Sequence, residues 1–176
     1  MKQVNREKLK NIKLLLLDVD GVLTDGKIVY TDSGEQIKAF DVKDGHGLKL
    51  LMRSGAEVVL ITGRESKVVL HRARDLGIQE VYQKVTNKIE IYEKILKEKN
   101  LEDIHVGFVG DDLIDIPVLK RVGFSAAVED AIPEVKEIVD YVTSKKGGEG
   151  AVREVCELLL KSQNKWEELT ERYYKN

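Results

Sequence analysis

Residues 14–25 read Leu14-Leu15-Leu16-Leu17-Asp18-Val19-Asp20-Gly21-Val22-Leu23-Thr24-Asp25. Four leucines running into an acidic pair predict a strand buried on both faces, as in a parallel sheet under helices. Its C-terminal end would deliver carboxylates to a crevice. Asp18 and Asp20 flank Val19 where the backbone turns at Gly21. Like charges clustered in this way are usually neutralised by a divalent cation. A plain acidic turn uses the same residue types, since Asp and Gly both favour turns, so the rest of the chain decides between the two readings.

Outward from this stretch, strand and helix patterns alternate. Residues 28–31 and 36–42 flank Asp32-Ser33-Gly34-Glu35 and read as a β-hairpin. A helix over 47–53 leads to a strand over 57–61 that ends at Thr62-Gly63-Arg64. A helix over 66–76, stopped by Gly77, precedes a short strand at 80–82, and Thr86 is expected to cap a helix over 87–99. The strand Val106-Gly107-Phe108-Val109 empties into Gly110-Asp111-Asp112-Leu113-Ile114-Asp115, with a helix on to about Val122. Short strands at 124–127 and 141–143 flank a helix opened by Pro133. Residues 145–150 read as a flexible link, 151–160 as a closing helix and the last dozen residues as a polar tail. The predicted fold class is α/β: a Rossmann-like, doubly wound, mostly parallel sheet with a small hairpin insertion at about 27–42, in a single domain over 1–176.

Composition narrows the function classes. The 176 residues are 42% hydrophobic and 34% charged, which suits a globular core of good size. Against 31 acidic residues stand 29 lysines and arginines, for a net charge of -2. No basic field therefore recruits nucleic acid or an anionic membrane, and any anion site must be local. Cys156 is the only cysteine, which excludes an intrachain disulfide and reads as a small core residue. The polar stretch from Met1 to Asn11 lacks the apolar segment of a signal peptide, and no run reaches membrane-spanning length, so a cytoplasmic protein is expected. His71 and His105 have no zinc-like spacing and receive no role.

Polar groups thus gather at strand ends and helix starts: Asp18 with Asp20, Thr62, Lys88, and Asp111 with Asp112 and Asp115. In an open α/β sheet these positions face one crevice. The set suits phosphoryl transfer, with carboxylates holding Mg2+ and the Thr62 hydroxyl and Lys88 ammonium meeting phosphate oxygens. Taken singly, Lys88 reads as an exposed surface lysine, a common residue on helix turns.

In order and spacing, these four motifs resemble those of the haloacid dehalogenase-like phosphohydrolases over most of the chain. More narrowly, Asp25-Gly-Lys-Ile-Val-Tyr30, Phe40-Asp-Val-Lys-Asp44-Gly, Thr62-Gly-Arg64 with Arg72, and Gly147-Gly148-x-Gly150-Ala151-Val-Arg153 resemble the 3-deoxy-D-manno-octulosonate 8-phosphate phosphatases. His46 departs from that pattern, standing where relatives often carry an apolar residue. The resemblance implies that Asp18 attacks phosphorus and forms an aspartyl-phosphate, while Asp20 protonates the leaving sugar oxygen and then activates water. It also implies Mg2+ on Asp18, the Asp20 carbonyl and Asp111, with Asp112 or Asp115 orienting Lys88 or a metal-bound water. Gly63, Arg64, Arg72 and Arg153 are the candidates for binding an acidic sugar phosphate, for which guanidinium forks suit carboxylate better than ammonium does.

Spacing leaves no room for a separate cap domain between Asp18 and Thr62 or between Thr62 and Lys88. In the resembled family the hairpin is an assembly element, so a homotetramer is expected, with the hairpin folded onto its own core as the competing arrangement. Three function classes stay open: this sugar phosphatase in lipopolysaccharide biosynthesis, a phosphatase of another acidic sugar such as a nonulosonate 9-phosphate, and a non-catalytic binding module.

Overall fold

The computed structural model describes residues 5–175; the first four residues of the polar N-terminal stretch lie outside that range. After α1 (Arg6–Lys10), β1 (Leu14–Leu17) enters the sheet, and the hairpin β2 (Val29–Tyr30) and β3 (Gln36–Ile37) follows. Then come α2 (Val42–Arg53), β4 (Glu57–Ile61), α3 (Lys67–Leu76), β5 (Glu80–Tyr82), α4 (Lys88–Lys99) and β6 (Val106–Gly110). The chain closes through α5 (Ile116–Leu119), β7 (Phe124–Ala127), α6 (Pro133–Ile138), β8 (Tyr141–Val142), α7 (Ala151–Ser162) and α8 (Trp166–Thr170).

Six strands pair in the order β5-β4-β1-β6-β7-β8, all parallel. Strand β1 lies mid-sheet, with Leu17 opposite Leu60 of β4 on one side and Val109 of β6 on the other. All four of its leucines are fully buried, because helices cover both faces. From β1 the chain winds outward to β5, then crosses back to β6 and winds outward the other way. The direction of winding therefore switches between β1 and β6, and the crevice at their carboxyl ends is where such sheets hold ligands.

Several elements depart from the sequence reading. The second hairpin strand stops at Ile37, and α2 starts at Val42 instead of Gly47. Asp41 starts that helix, its carboxylate accepting the amides of Lys43 at 2.6 Å and Asp44 at 3.1 Å. Gly45 and Gly47, which look like loop, are contact points. A Cβ on Gly45 would strike the Arg72 guanidinium, and one on Gly47 would lie 3.1 Å from the Arg153 Cα of α7. Helix α4 begins at Lys88 with Asn87 at its cap position and no side-chain cap, so Thr86 does not play that part. A 3-10 turn (Leu113–Asp115) and the short α5 replace one longer helix.

Within the expected polar tail, α8 is followed by a 3-10 turn (Glu171–Tyr173). Trp166 lies under the charged ends of Arg153, 5.3 Å away, and Lys161, 4.9 Å away. Tyr173 packs its ring 5.5 Å from His46 and accepts a hydrogen bond from Arg53 at 3.2 Å. His46 thereby gains a packing partner. Burial pushes the Cys156 thiol up, as befits a core residue. Among the described residues no helix is long and apolar enough to cross a membrane.

Asp41→Ala should cost about 1 kcal/mol in urea unfolding through the lost cap. Thr86→Ala should leave stability within error, and equal losses would contradict the assignment of caps.

Candidate active site

Asp18 follows β1 directly, and its amide donates to the Val109 carbonyl at 3.1 Å, which keeps the turn beside β6. Lys88 projects from the first turn of α4, its side chain only 2% exposed. Its Nζ donates to Asp18 Oδ1 at 2.7 Å and to Asp115 Oδ1 at 2.6 Å. Burial alone would lower the Lys88 pKa, yet the two carboxylates outweigh it and hold the group above its ordinary value. The other oxygen of Asp115 accepts the amides of Asp111 at 2.9 Å and Asp112 at 3.3 Å. Asp112 caps the Leu113 amide at 2.7 Å and is exposed. Of these two aspartates, Asp115 is the one that orients Lys88.

The Asp111 carboxylate leans on Gly21, where φ is +96° and a Cβ would collide with Asp111 Oδ2. Among the described residues no hydrogen bond reaches that carboxylate. Burial, then the charges of Asp18 and Asp115, push Asp111 up to about 8. Burial, opposed by Lys88, pushes Asp18 up to about 6. Carboxylate oxygens of Asp18, Asp111 and Asp115 lie within 4.8 Å of one another. One ammonium cannot balance three carboxylates, and a compact set of oxygen donors with surplus negative charge suits a hard cation such as Mg2+. Because both Asp115 oxygens are engaged, Asp18 and Asp111 are the side chains free to hold it, with the Asp20 main-chain carbonyl on the same turn.

The Asp20 carboxylate stands outside this cluster. Its Oδ2 accepts from Thr62 Oγ1 at 3.3 Å, and its Oδ1 pairs with the ammonium of Lys38. The sequence reading missed Lys38, because a lysine just past a short apolar strand looks like any exposed hairpin residue. Thr62 Oγ1 also accepts the Arg64 amide at 3.2 Å. Arg64 donates through Nη2 to the Tyr30 hydroxyl at 3.3 Å, while its Nε is buried without a partner among the described residues. Gly63 passes close to the Val85 carbonyl, which would lie 3.4 Å from a Cβ there.

Two of the arginines are not brought to the carboxylates. Arg72 donates to the Asp41 carbonyl at 3.0 Å and lies over Phe40. Arg153 pairs with Glu157 at 2.7 Å and covers Trp166. Residues 145–150, expected to be a flexible link, dock on the turn at Gly21 and Val22 of the same chain. The Gly148 amide donates to the Val22 carbonyl at 3.0 Å, and a Cβ on Gly147 would run into the Gly21 carbonyl oxygen. Asp44 anchors this segment, accepting the amides of Gly150 at 3.4 Å and Arg153 at 2.7 Å. Burial, against the pull of those amides, pushes the Asp44 carboxyl up to about 6.

Comparison with known proteins fits this geometry. The family model for haloacid dehalogenase-like hydrolases matches residues 73–155. The 3-deoxy-D-manno-octulosonate 8-phosphate phosphatase of Escherichia coli is 49% identical over 161 residues, 92% of this chain and 86% of that protein. The chain belongs to the haloacid dehalogenase-like hydrolases. Among solved structures in this family, the 3-deoxy-D-manno-octulosonate 8-phosphate phosphatase of Moraxella catarrhalis superposes with a TM-score of 0.94 at 41% identity, covering 96% of this chain and 97% of its own. That crystal contains a magnesium ion, a phosphate ion and a KDO molecule. The Yersinia pestis phosphatase of the same name gives a TM-score of 0.91 at 46% identity, covering 92% of this chain and 88% of its own.

Asp18 and Asp111 hold protons more tightly in the folded than in the unfolded chain. Between about pH 4 and about pH 8 the metal-free folded state therefore binds the extra protons, and its stability falls as pH rises. Mg2+ takes their place, so its gain in Tm should be larger at about pH 8 than at about pH 5.5; equal gains would contradict the cluster as the metal site. Gly147→Ala should weaken Mg2+ binding in calorimetry by about tenfold or more by displacing the Gly21 turn, and unchanged binding would refute that contact.

Proposed function

We propose that this chain is a Mg2+-dependent phosphatase that hydrolyses 3-deoxy-D-manno-octulosonate 8-phosphate to the free sugar and phosphate, in the cytoplasm, for lipopolysaccharide biosynthesis. The observation that carries the reading is the buried Asp18–Lys88–Asp115 array beside a separately held Asp20. One carboxylate is thus poised as a nucleophile and another stands apart for proton transfer, which is the division of labour that two-step phosphoryl transfer needs.

The residue roles follow from position. Asp18 attacks phosphorus in line, forming an aspartyl-phosphate as the sugar oxygen departs. Asp20 gives that oxygen its proton and then takes one from the water that hydrolyses the intermediate. Lys88, held between Asp18 and Asp115, and the Thr62 hydroxyl stabilise the charge that builds on the phosphoryl oxygens. Asp18, the Asp20 carbonyl and Asp111 would hold Mg2+, which would supply charge neutralisation and alignment of the phosphate. Arg64, whose amide donates to Thr62 and whose Nε has no partner among the described residues, is the candidate for the acidic end of the sugar.

The reading takes residues 1–176 as one phosphatase domain without a cap, and places the hairpin in a contact between copies. Ile28 is 48% exposed, Tyr30 55% and Ile37 52%, so the apolar hairpin face is not folded onto its own core. Such a face on an open site suits a homo-oligomer, a tetramer in the resembled phosphatases.

The test is phosphate release from a panel of acidic and neutral sugar phosphates, with Mg2+ and with chelator. Selective, Mg2+-dependent hydrolysis of 3-deoxy-D-manno-octulosonate 8-phosphate is expected. Asp18→Asn should abolish turnover, and Lys88→Ala should lower kcat about 100-fold or more. Preference for a nonulosonate 9-phosphate would change the substrate and keep the mechanism. No release from any sugar phosphate would point to a binding module.

A further inference from the structure

Lys38 belongs to none of the four motifs, yet it is the most enclosed cation near the site apart from Lys88. Its side chain is 3% exposed, although it follows β3 on an insertion whose neighbouring Ile37 is 52% exposed. Lysine is almost never buried to this degree unless paired, and the partner here is Asp20 Oδ1. Among the described residues the same carboxyl group has a single other anchor, the Thr62 hydroxyl on Oδ2. Thr62 is also engaged by the Arg64 amide, and at 3.3 Å it is a weak tether. Holding Asp20 therefore falls mainly to Lys38.

We propose that Lys38 is a positioning residue for Asp20, an inference that rests on the phosphatase reading above. By occupying Oδ1, the ammonium fixes the carboxyl group in the rotamer that keeps it clear of the Asp18, Asp111 and Asp115 oxygens. It leaves Oδ2, next to Thr62, as the oxygen that exchanges protons. In the first half-reaction the Asp20 proton passes from Oδ2 to the sugar oxygen as the phosphorus–oxygen bond breaks. In the second, Oδ2 takes a proton from water as that water bonds to phosphorus and the Asp18 oxygen leaves. No other reactant is needed. The hairpin insertion thus has a function within its own chain: Lys38 reaches Asp20 and Tyr30 reaches Arg64.

Proton donation matters for an alkoxide-like sugar oxygen and little for a nitrophenolate, which departs unprotonated. Single-turnover rates of Lys38→Met on the sugar phosphate and on p-nitrophenyl phosphate therefore separate positioning of Asp20 from general damage. The sugar phosphate rate should fall about 100-fold with KM nearly unchanged, and the p-nitrophenyl phosphate rate by less than about threefold. Lys38→Arg should recover most of the loss, and in an Asp20→Asn background Lys38→Met should cost less than about threefold further. Calorimetry should show that Lys38→Met binds Mg2+ at least as tightly as wild type.

Equal losses on both substrates, or additive losses in the Asp20→Asn background, would overturn the proposal. A raised KM with kcat kept would make Lys38 a substrate contact instead, and lost Mg2+ binding would make it a prop for the whole turn; each also overturns it. A wild-type enzyme that is active while Lys38→Met matches it defeats this inference alone. Wild type inactive on both substrates defeats the phosphatase reading, and this inference with it.

Discussion

The Lys88 ammonium, closed off from water between Asp18 and Asp115, is the contact on which the rest of the site depends. It joins the tip of β1, the start of α4 and the turn after β6, so it exists only if those three pieces are brought together. Taking one partner from a buried ion pair leaves uncompensated charge and typically costs about 3–5 kcal/mol. Here one cation faces two carboxylates with a third, Asp111, close by, and the surplus negative charge is what suits the cluster to a divalent ion. Burial first, with the neighbouring carboxylates adding to it, pushes Asp111 up to about 8, and burial, opposed by Lys88, pushes Asp18 up to about 6. Structure and chemistry therefore share one cause, an acidic pocket closed off from water.

Around that centre the chain encloses the turn from two sides. From the C-terminal side the Gly147-Gly148 segment rests on Gly21 and Val22, close enough that a side chain at Gly147 would displace the turn. Asp44 ties that segment to the start of α2, and α2 in turn packs on α7 through Gly47. From the other side the hairpin sends Lys38 to Asp20 and Tyr30 to Arg64 while leaving its apolar residues outward. An insertion too small to be a lid can still contact the side chains beneath it, as Lys38 does with Asp20.

The middle of the sheet was legible because β1, β4 and β6 are apolar runs that lead into Asp, Thr or Gly-Asp, and burial on both faces leaves that signature directly in the residues. Asp18, Asp20, Thr62, Lys88 and Asp111 could be picked out for the same reason, since each stands at the end of a strand or the start of a helix. Other features depend on contacts far apart in sequence. The start of α2 was hidden because Gly45 and Gly47 are demanded by Arg72 and Arg153 rather than by local backbone. Trp166 and Tyr173 read as tail because their partners, Arg153 and His46, are distant. Asp115 could be separated from Asp112 only by seeing which carboxylate meets Lys88. Lys38 carries no local mark, and its burial beside Asp20 is a property of the folded hairpin alone.

The central claim is that Asp18, held by Lys88, is the atom-bearing group that receives the phosphoryl group. Rapid acid quenching during turnover, followed by peptide mass mapping, tests it most directly. The account predicts a transient acid-stable phosphoryl adduct on the peptide containing Asp18 and on that residue within it. An adduct elsewhere, or burst kinetics with no adduct on any peptide, would contradict it.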